Sequence, residues 1–166
     1  MRIINYKVKE YYYNYNIRYI GKYLYGNKWN GTGYNINGYL EYELKNGKGY
    51  IKEYNFLSKL EYEGEYLNGK RNGKGKEYYD NGEIEFEGEY LNAERNGKGK
   101  EYYDNGKLKF KGLYLNGERN GEGKEYYNDG KLKFEGEYLN GNRNGKGKDY
   151  NEKGIFSSTN FFFIIC

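Results

Sequence analysis

A 24-residue segment that repeats itself governs what this chain can become. LEYEGEYLNGKRNGKGKEYYDNGE begins at Leu60 and returns, with substitutions, at Ile84, Leu108 and Leu132. A unit this short cannot bury an apolar face alone, so neighbouring copies must stack and share one core. Looser copies precede these four. Residues 9–33 fit the same template, while 38–49 keep its glycines and little else.

Within each copy the period is two, the signature of a strand buried on one face. Ile84, Phe86, Gly88 and Tyr90 alternate with Glu83, Glu85, Glu87 and Glu89. The next copies give Leu108, Phe110, Gly112, Tyr114 and then Leu132, Phe134, Gly136, Tyr138. The apolar set persists while the intervening set changes from Glu to Lys, which suits a solvated surface rather than a ligand-reading one. A second strand follows in the GKGKEYY segment. Turns are expected at Asn81-Gly82, Asn105-Gly106 and Asp129-Gly130, read as type I′ hairpins with positive φ at both central residues. The expected fold is all-β, an open single-layer antiparallel meander of repeated hairpins.

Glycine has two expected uses. Gly64, Gly88, Gly112 and Gly136 sit on the apolar face between aromatics, where a missing side chain makes room for a ring to lie across the backbone. The last glycine of the NGKRNG stretch occurs in all six units (Gly31, Gly47, Gly73, Gly97, Gly121, Gly145), and positive φ is expected there. The first glycine of that stretch is Ala93 in the second copy, so that position is read as tolerating a Cβ.

Composition removes most familiar chemistry. With no His and one Cys, Ser/His/Asp and Cys/His arrangements and the common zinc sites are excluded, as is an internal disulfide. The NGKGK segments lead into strands rather than helices and so are not phosphate loops. Glu85 and Glu87 lie on the solvated face, without burial to separate their pKa values as an acid/base pair requires. No catalytic residue, metal or cofactor is implied. Residues 1–60 carry 10 Lys+Arg against 4 Asp+Glu, whereas 61–150 carry 17 against 19. The regular copies are therefore not a polybasic surface, and nucleic acid is disfavoured as a partner. No apolar run spans a membrane and no signal core opens the chain, so a cytoplasmic or membrane-peripheral location is expected.

The run YEGEYLNGKRNGKGKEYYDNG resembles the MORN repeat, whose pattern is roughly Y-x-G-x-W-x-x-G-x-x-x-G-x-G. The match covers 61–154 well and 9–60 poorly. In the third copy the pattern falls on Phe110, Gly112, Tyr114, Gly117, Gly121 and Gly123. Tyr stands at the usual Trp position, at Tyr66, Tyr90, Tyr114 and Tyr138, and Asn replaces the common His before the glycine. The resemblance implies a curved sheet of hairpins with an aromatic inner face, and scaffolding, self-association or membrane-proximal roles.

Three segments follow: degenerate repeats at 1–59, regular repeats at 60–154 and an apolar tail at 155–166. The tail is read chiefly as a cap on the last hairpin, with a shallow membrane anchor or non-functional sequence as the alternatives. The expected function is non-catalytic scaffolding or self-association, with a protein partner or second copy on the aromatic face of Tyr66, Tyr90, Tyr114, Tyr138, Phe86, Phe110 and Phe134. The alternative is peripheral association with anionic phospholipid through the basic N-terminal part and a row of Arg71, Arg95, Arg119 and Arg143. Those guanidiniums could equally stack on neighbouring rings or close their own loops.

Overall fold

Alternation of two becomes strand throughout the described residues. A computed structural model of the protein describes residues 6–55 and 57–162, and every regular element among them is a β-strand. The ends of the chain, including Cys166 of the tail, lie outside the described residues. The chain divides into two units, Met1–Gly82 and Glu83–Cys166.

The first unit holds β1 (Tyr6–Tyr11), β2 (Ile17–Leu24), β3 (Asn27–Tyr34) and β4 (Leu40–Leu44) as one antiparallel sheet in chain order. The strands β5 (Gly49–Tyr54), β6 (Leu60–Leu67) and β7 (Lys70–Tyr78) follow, again antiparallel in chain order. The second unit is a meander of β8 (Ile84–Leu91), β9 (Glu94–Tyr102), β10 (Leu108–Leu115), β11 (Glu118–Tyr126), β12 (Leu132–Leu139), β13 (Asn142–Tyr150) and β14 (Phe156–Phe162). Neither sheet closes into a barrel. The tail supplies β14, which runs antiparallel to β13 from Tyr150↔Phe156 to Gly145↔Phe162 and sets the Phe162 ring 5.7 Å from that of Phe134.

Register lines up the glycines. In the second unit Gly88 faces Gly99, Gly99 faces Gly112, and the row continues through Gly123, Gly136 and Gly147. Gly64 faces Gly75 in the same way in the first unit. Each pair forms a trough on the aromatic face, and a ring lies across it. A Cβ on Gly112 would stand 2.6 Å from Phe110 Cζ and 2.7 Å from the carbonyl oxygen of Glu122. Four such rings, Tyr62, Phe86, Phe110 and Phe134, are completely buried.

The hairpin turns differ from expectation. Two-residue turns with positive φ at both residues, as in type I′, lie at Tyr25-Gly26, Asn46-Gly47, Asn68-Gly69, Asn116-Gly117 and Asn140-Gly141. Asn92 (φ 53°) and Ala93 (φ 80°) adopt the same turn, so Ala93 occupies a left-handed position rather than a neutral one. At the other end of the strands Tyr103 N donates to Lys107 O and Gly106 N to Tyr103 O, and only Gly106 has positive φ among the three loop residues. That is a three-residue loop closed by a left-handed glycine, as at Tyr127–Lys131, and not a type I′ turn. Gly47, Gly73, Gly97, Gly121 and Gly145 have the expected positive φ. Gly31 does not, because it faces Gly21 across the hairpin as Gly75 faces Gly64.

Copies are tied together at both edges. Gly117 N donates to Arg95 O and Gly141 N to Arg119 O, at 2.9 and 3.0 Å. At the opposite edge Tyr103 and Tyr127 hydroxyls donate to the carbonyls of Tyr126 and Tyr150, both at 2.8 Å.

Two substitutions test this description by chemical denaturation. Gly112→Ala places a methyl against backbone and ring, and should cost about 1–3 kcal/mol. Ala93→Gly should stabilise by about 1 kcal/mol, since an L-residue in the left-handed region costs about that much.

Candidate functional site

The strands bring four kinds of side chain onto the aromatic face, and they build upward in order. A Phe or Tyr ring lies on the glycine trough. The next aromatic along the strand meets that ring edge-on, as Tyr114 does Phe110 at 5.7 Å and 90°. The tyrosine of the following copy meets it from the other side, as Tyr138 does Phe110 at 5.1 Å and 81°. An arginine from the partner strand then covers the ring. Arg71 lies 4.0 Å from the Tyr62 centroid, Arg95 4.2 Å from Phe86, Arg119 4.1 Å from Phe110 and Arg143 4.0 Å from Phe134.

Acidic residues hold these guanidiniums in place. Arg119 donates from Nε and Nη2 to Glu101 of the preceding copy, at 2.8 and 2.7 Å, and from Nη1 to Glu125 of its own copy at 3.0 Å. Glu125 also accepts from Arg143, whose other nitrogen reaches Asp149 at 2.8 Å. Arg71 bridges Glu53 at 2.5 Å and Glu77 at 3.1 Å. Arg95 lies 3.9 Å from Glu85. Tyrosine hydroxyls complete the acceptors, with Tyr114 donating to Glu101 at 2.6 Å and Tyr66 to Glu53. The degenerate first hairpin builds the same group from other residues. Lys28 sits 4.6 Å from the Tyr19 ring centroid and pairs with Glu10 at 3.1 Å, and Glu10 accepts from Tyr23.

Burial would raise the Glu101 carboxyl, but hydrogen bonds from Arg119 and Tyr114 and the charges of Arg119 and Lys109 outweigh it. They hold it at about 2 against an ordinary 4.5. Burial likewise pushes the Tyr66 and Tyr114 hydroxyls up, reinforced by Glu53 and Glu101 respectively.

The rings expected to form a docking face are therefore not presented to one. Phe86, Phe110 and Phe134 have no exposure, and Tyr66, Tyr90, Tyr114 and Tyr138 retain 7, 3, 4 and 3 %. They are the core of the sheet, covered by the chain's own Arg and Glu. The arginine row exists as expected, but Arg71, Arg119 and Arg143 direct donors to carboxylates of the chain. The acidic partners were missed in the sequence although the signal was there: Glu77, Glu101, Glu125 and Asp149 each stand six residues after an Arg.

The opposite face carries a separate ladder. Across the second unit, register places Glu87, Lys100, Lys111, Lys124, Glu135 and Lys148 side by side. Glu87 accepts from Lys100 Nζ at 2.8 Å and Tyr102 at 2.7 Å. Glu135 accepts from Lys124 at 2.8 Å, Lys148 at 3.2 Å and Tyr150 at 3.0 Å. Hydrogen bonds from Lys124, Tyr150 and Lys148 hold its carboxyl at about 2. Also on this face, beside the type I′ turns, lies one leucine per regular copy. Leu67, Leu91, Leu115 and Leu139 are 44, 49, 49 and 38 % exposed.

Comparison with family models matches the MORN repeat at residues 62–84 and 134–148, and a MORN repeat variant at 95–116 and 119–140. No curated protein matches the chain. No helix among the described residues is long and apolar enough to cross a membrane.

Removing one member of the Arg ladder strands its acids. Arg119→Met should cost about 2 kcal/mol, below the range for a fully buried pair because the group is partly exposed, and Arg119→Met with Glu101→Gln should recover part of it. Because the folded Glu101 carboxyl titrates lower than the unfolded one, its contribution is complete above about pH 4.5 and lost as pH falls toward 2. The thermal midpoint should drop across that window, and Glu101→Gln should flatten the drop.

Proposed function

Because the chain is a MORN-repeat protein, a type of module that binds proteins or membranes and is not catalytic, we propose that it is a protein-binding scaffold without enzymatic activity. Its contact surface is the face opposite the aromatic rings, together with the leucines beside the hairpin turns. One observation carries this reading. The aromatic face is closed by its own arginines and glutamates, while each regular copy leaves a leucine more than a third exposed at the same hairpin position. Single exposed leucines are ordinary, but within the second unit Leu91, Leu115 and Leu139 recur with the repeat about 10 Å apart, set by two strand spacings. Polar rims of Lys and Glu around such apolar points match the anatomy of non-obligate interfaces.

Anionic lipid is the second reading, favoured by the excess of 10 Lys+Arg over 4 Asp+Glu in residues 1–60. The arginine row adds little to it, since Arg71, Arg119 and Arg143 have in-chain acceptors. A photo-crosslinking residue at position 115 separates the two. Protein adducts are expected in cells from position 115 and not from position 128 in the distant hairpin loop. Absence of protein adducts at 115, with salt-sensitive co-sedimentation on phosphatidylserine vesicles, would transfer the function to the membrane.

A further inference from the structure

The third copy departs from its sister copies on the solvated face at three positions, 111, 113 and 122, the last being Glu122, which faces Glu137, where the sisters place Lys74, Lys98 and Lys146. Where the other regular copies place Glu63, Glu87 and Glu135, it places Lys111, and where they place Glu65, Glu89 and Glu137, it places Leu113. The register makes the first change consequential. Lys111 lies directly between Lys100 and Lys124 on the two flanking strands, so three ammonium groups share one row. Like charges directly opposite one another on a sheet are destabilising.

The sister copies show what is missing. Glu63 accepts from the Tyr78 hydroxyl at 2.7 Å, Glu87 from Tyr102 and Lys100, and Glu135 from Tyr150, Lys124 and Lys148. Glu87 and Glu135 sit among lysine and tyrosine donors, and Glu63 has the tyrosine alone. Tyr126 occupies the same register position beside Lys111, which stands where the sister copies have that carboxylate, and no hydrogen bond or ion pair joins Glu122, on the same face of β11, to either of them. The Tyr126 hydroxyl has no hydrogen-bond partner among the described residues. Lys111 forms no ion pair there either, its Nζ lying 5.9 Å from the Tyr126 ring centroid. Beside them Leu113 is 40 % exposed.

We propose that this part of the third copy is a receptor for a carboxylate supplied by another protein, and that the partner docks through an acidic segment bearing an apolar side chain. The donors are Lys111 Nζ, the Tyr126 hydroxyl and the remaining ammonium protons of Lys100 and Lys124, each of which has three. Leu113 takes the apolar contact. The inference rests on the protein-binding reading above and adds to it the chemistry of the partner. Charge selects the occupant. Lys100 and Lys124 have in-chain carboxylates, but the lysine between them has none, so an incoming carboxylate both pairs Lys111 and relieves the repulsion along the row.

The test uses the full chain and a fluorescein-labelled 12-residue peptide of Asp and Glu with one central Leu, read by fluorescence anisotropy. The peptide should bind, its amide counterpart of Asn and Gln should not, and binding should weaken with salt. Lys111→Glu restores the arrangement of the sister copies, so it should unfold at or above the parent's temperature. It should bind the peptide about tenfold more weakly, as expected for a lost charge-assisted hydrogen bond. Tyr126→Phe should weaken binding by a smaller factor. Lys153→Glu, the same change in net charge on an exposed loop, should have little effect.

Equal loss from Lys153→Glu would reduce the effect to net charge and overturn the proposal. So would binding by Lys111→Glu equal to the parent's, or binding of the amide peptide. Release of phosphatidylserine vesicles by Lys111→Glu without any peptide binding would assign the row to lipid instead. If no acidic peptide binds while position 115 still gives protein adducts, the carboxylate receptor fails and the scaffold reading stands.

Discussion

The fold depends on an aromatic ring lying flat across a pair of facing glycines. Phe110 contacts the backbone of Gly112 and Gly123 at a separation no Cβ would permit, so the ring is buried on its lower side by main chain alone. A single-layer sheet normally lacks a second layer to supply that burial. Here the backbone supplies half of it, and the aromatic pairs at 5.1 and 5.7 Å close the ring's edges. The upper side is then the remaining surface to cover, and the arginine covers it. A guanidinium suits this place better than an ammonium because it is planar and weakly hydrated and still offers donors around its rim. Those donors fix two glutamates from different copies, so stacking and ion pairing are one arrangement. Copy-to-copy cohesion follows directly, since Glu125 is shared by Arg119 and Arg143.

Much of this was legible in the sequence because strand alternation and a 24-residue period leave little choice of architecture. The glycines between aromatics were readable as ring seats for the same reason. Turn chemistry was assigned to the wrong dipeptides. Asn-Gly occurs at both ends of each hairpin, and only the number of residues between pairing strands separates a two-residue type I′ turn at Asn116-Gly117 from a three-residue loop ending at Gly106. Register fixes that number, and the pairing of β10 with β11 shifts between Gly112↔Gly123 and Tyr114↔Arg119, a change in residue count that alternation does not show. The arginine's role was ambiguous for a related reason. Arg119 and Glu101 are 18 residues apart and meet only because β9 and β11 both flank β10.

Burial of the aromatic face changes where recognition can reside. A row of tyrosines read in sequence suggests contact area, yet in the sheet each is packed against its neighbour, and the Tyr66 and Tyr114 hydroxyls are committed to Glu53 and Glu101, while the buried Tyr138 hydroxyl has no carboxylate acceptor. That face is buried beneath its own arginines and glutamates and so presents little that a partner could read. The opposite face satisfies itself through Glu87 and Glu135 with their lysines and tyrosines, but not at every copy.

Departures from the repeat therefore differ in kind. Ala93 departs from glycine in a turn and raises the energy of the backbone, and an added methyl changes neither charge nor the number of polar groups. Lys111 departs in charge, and one change removes an acceptor from Tyr126, adds a cation between two others and coincides with Leu113 two residues on. A strained turn is a cost the fold absorbs internally through contacts elsewhere. An unmatched donor set is relieved only by an acceptor, from solvent or from another molecule, and a neighbouring leucine favours the second because water gains nothing from it. Among copies whose solvated-face glutamates otherwise meet donors of the chain, the proposed receptor is the copy in which that glutamate is replaced by a lysine.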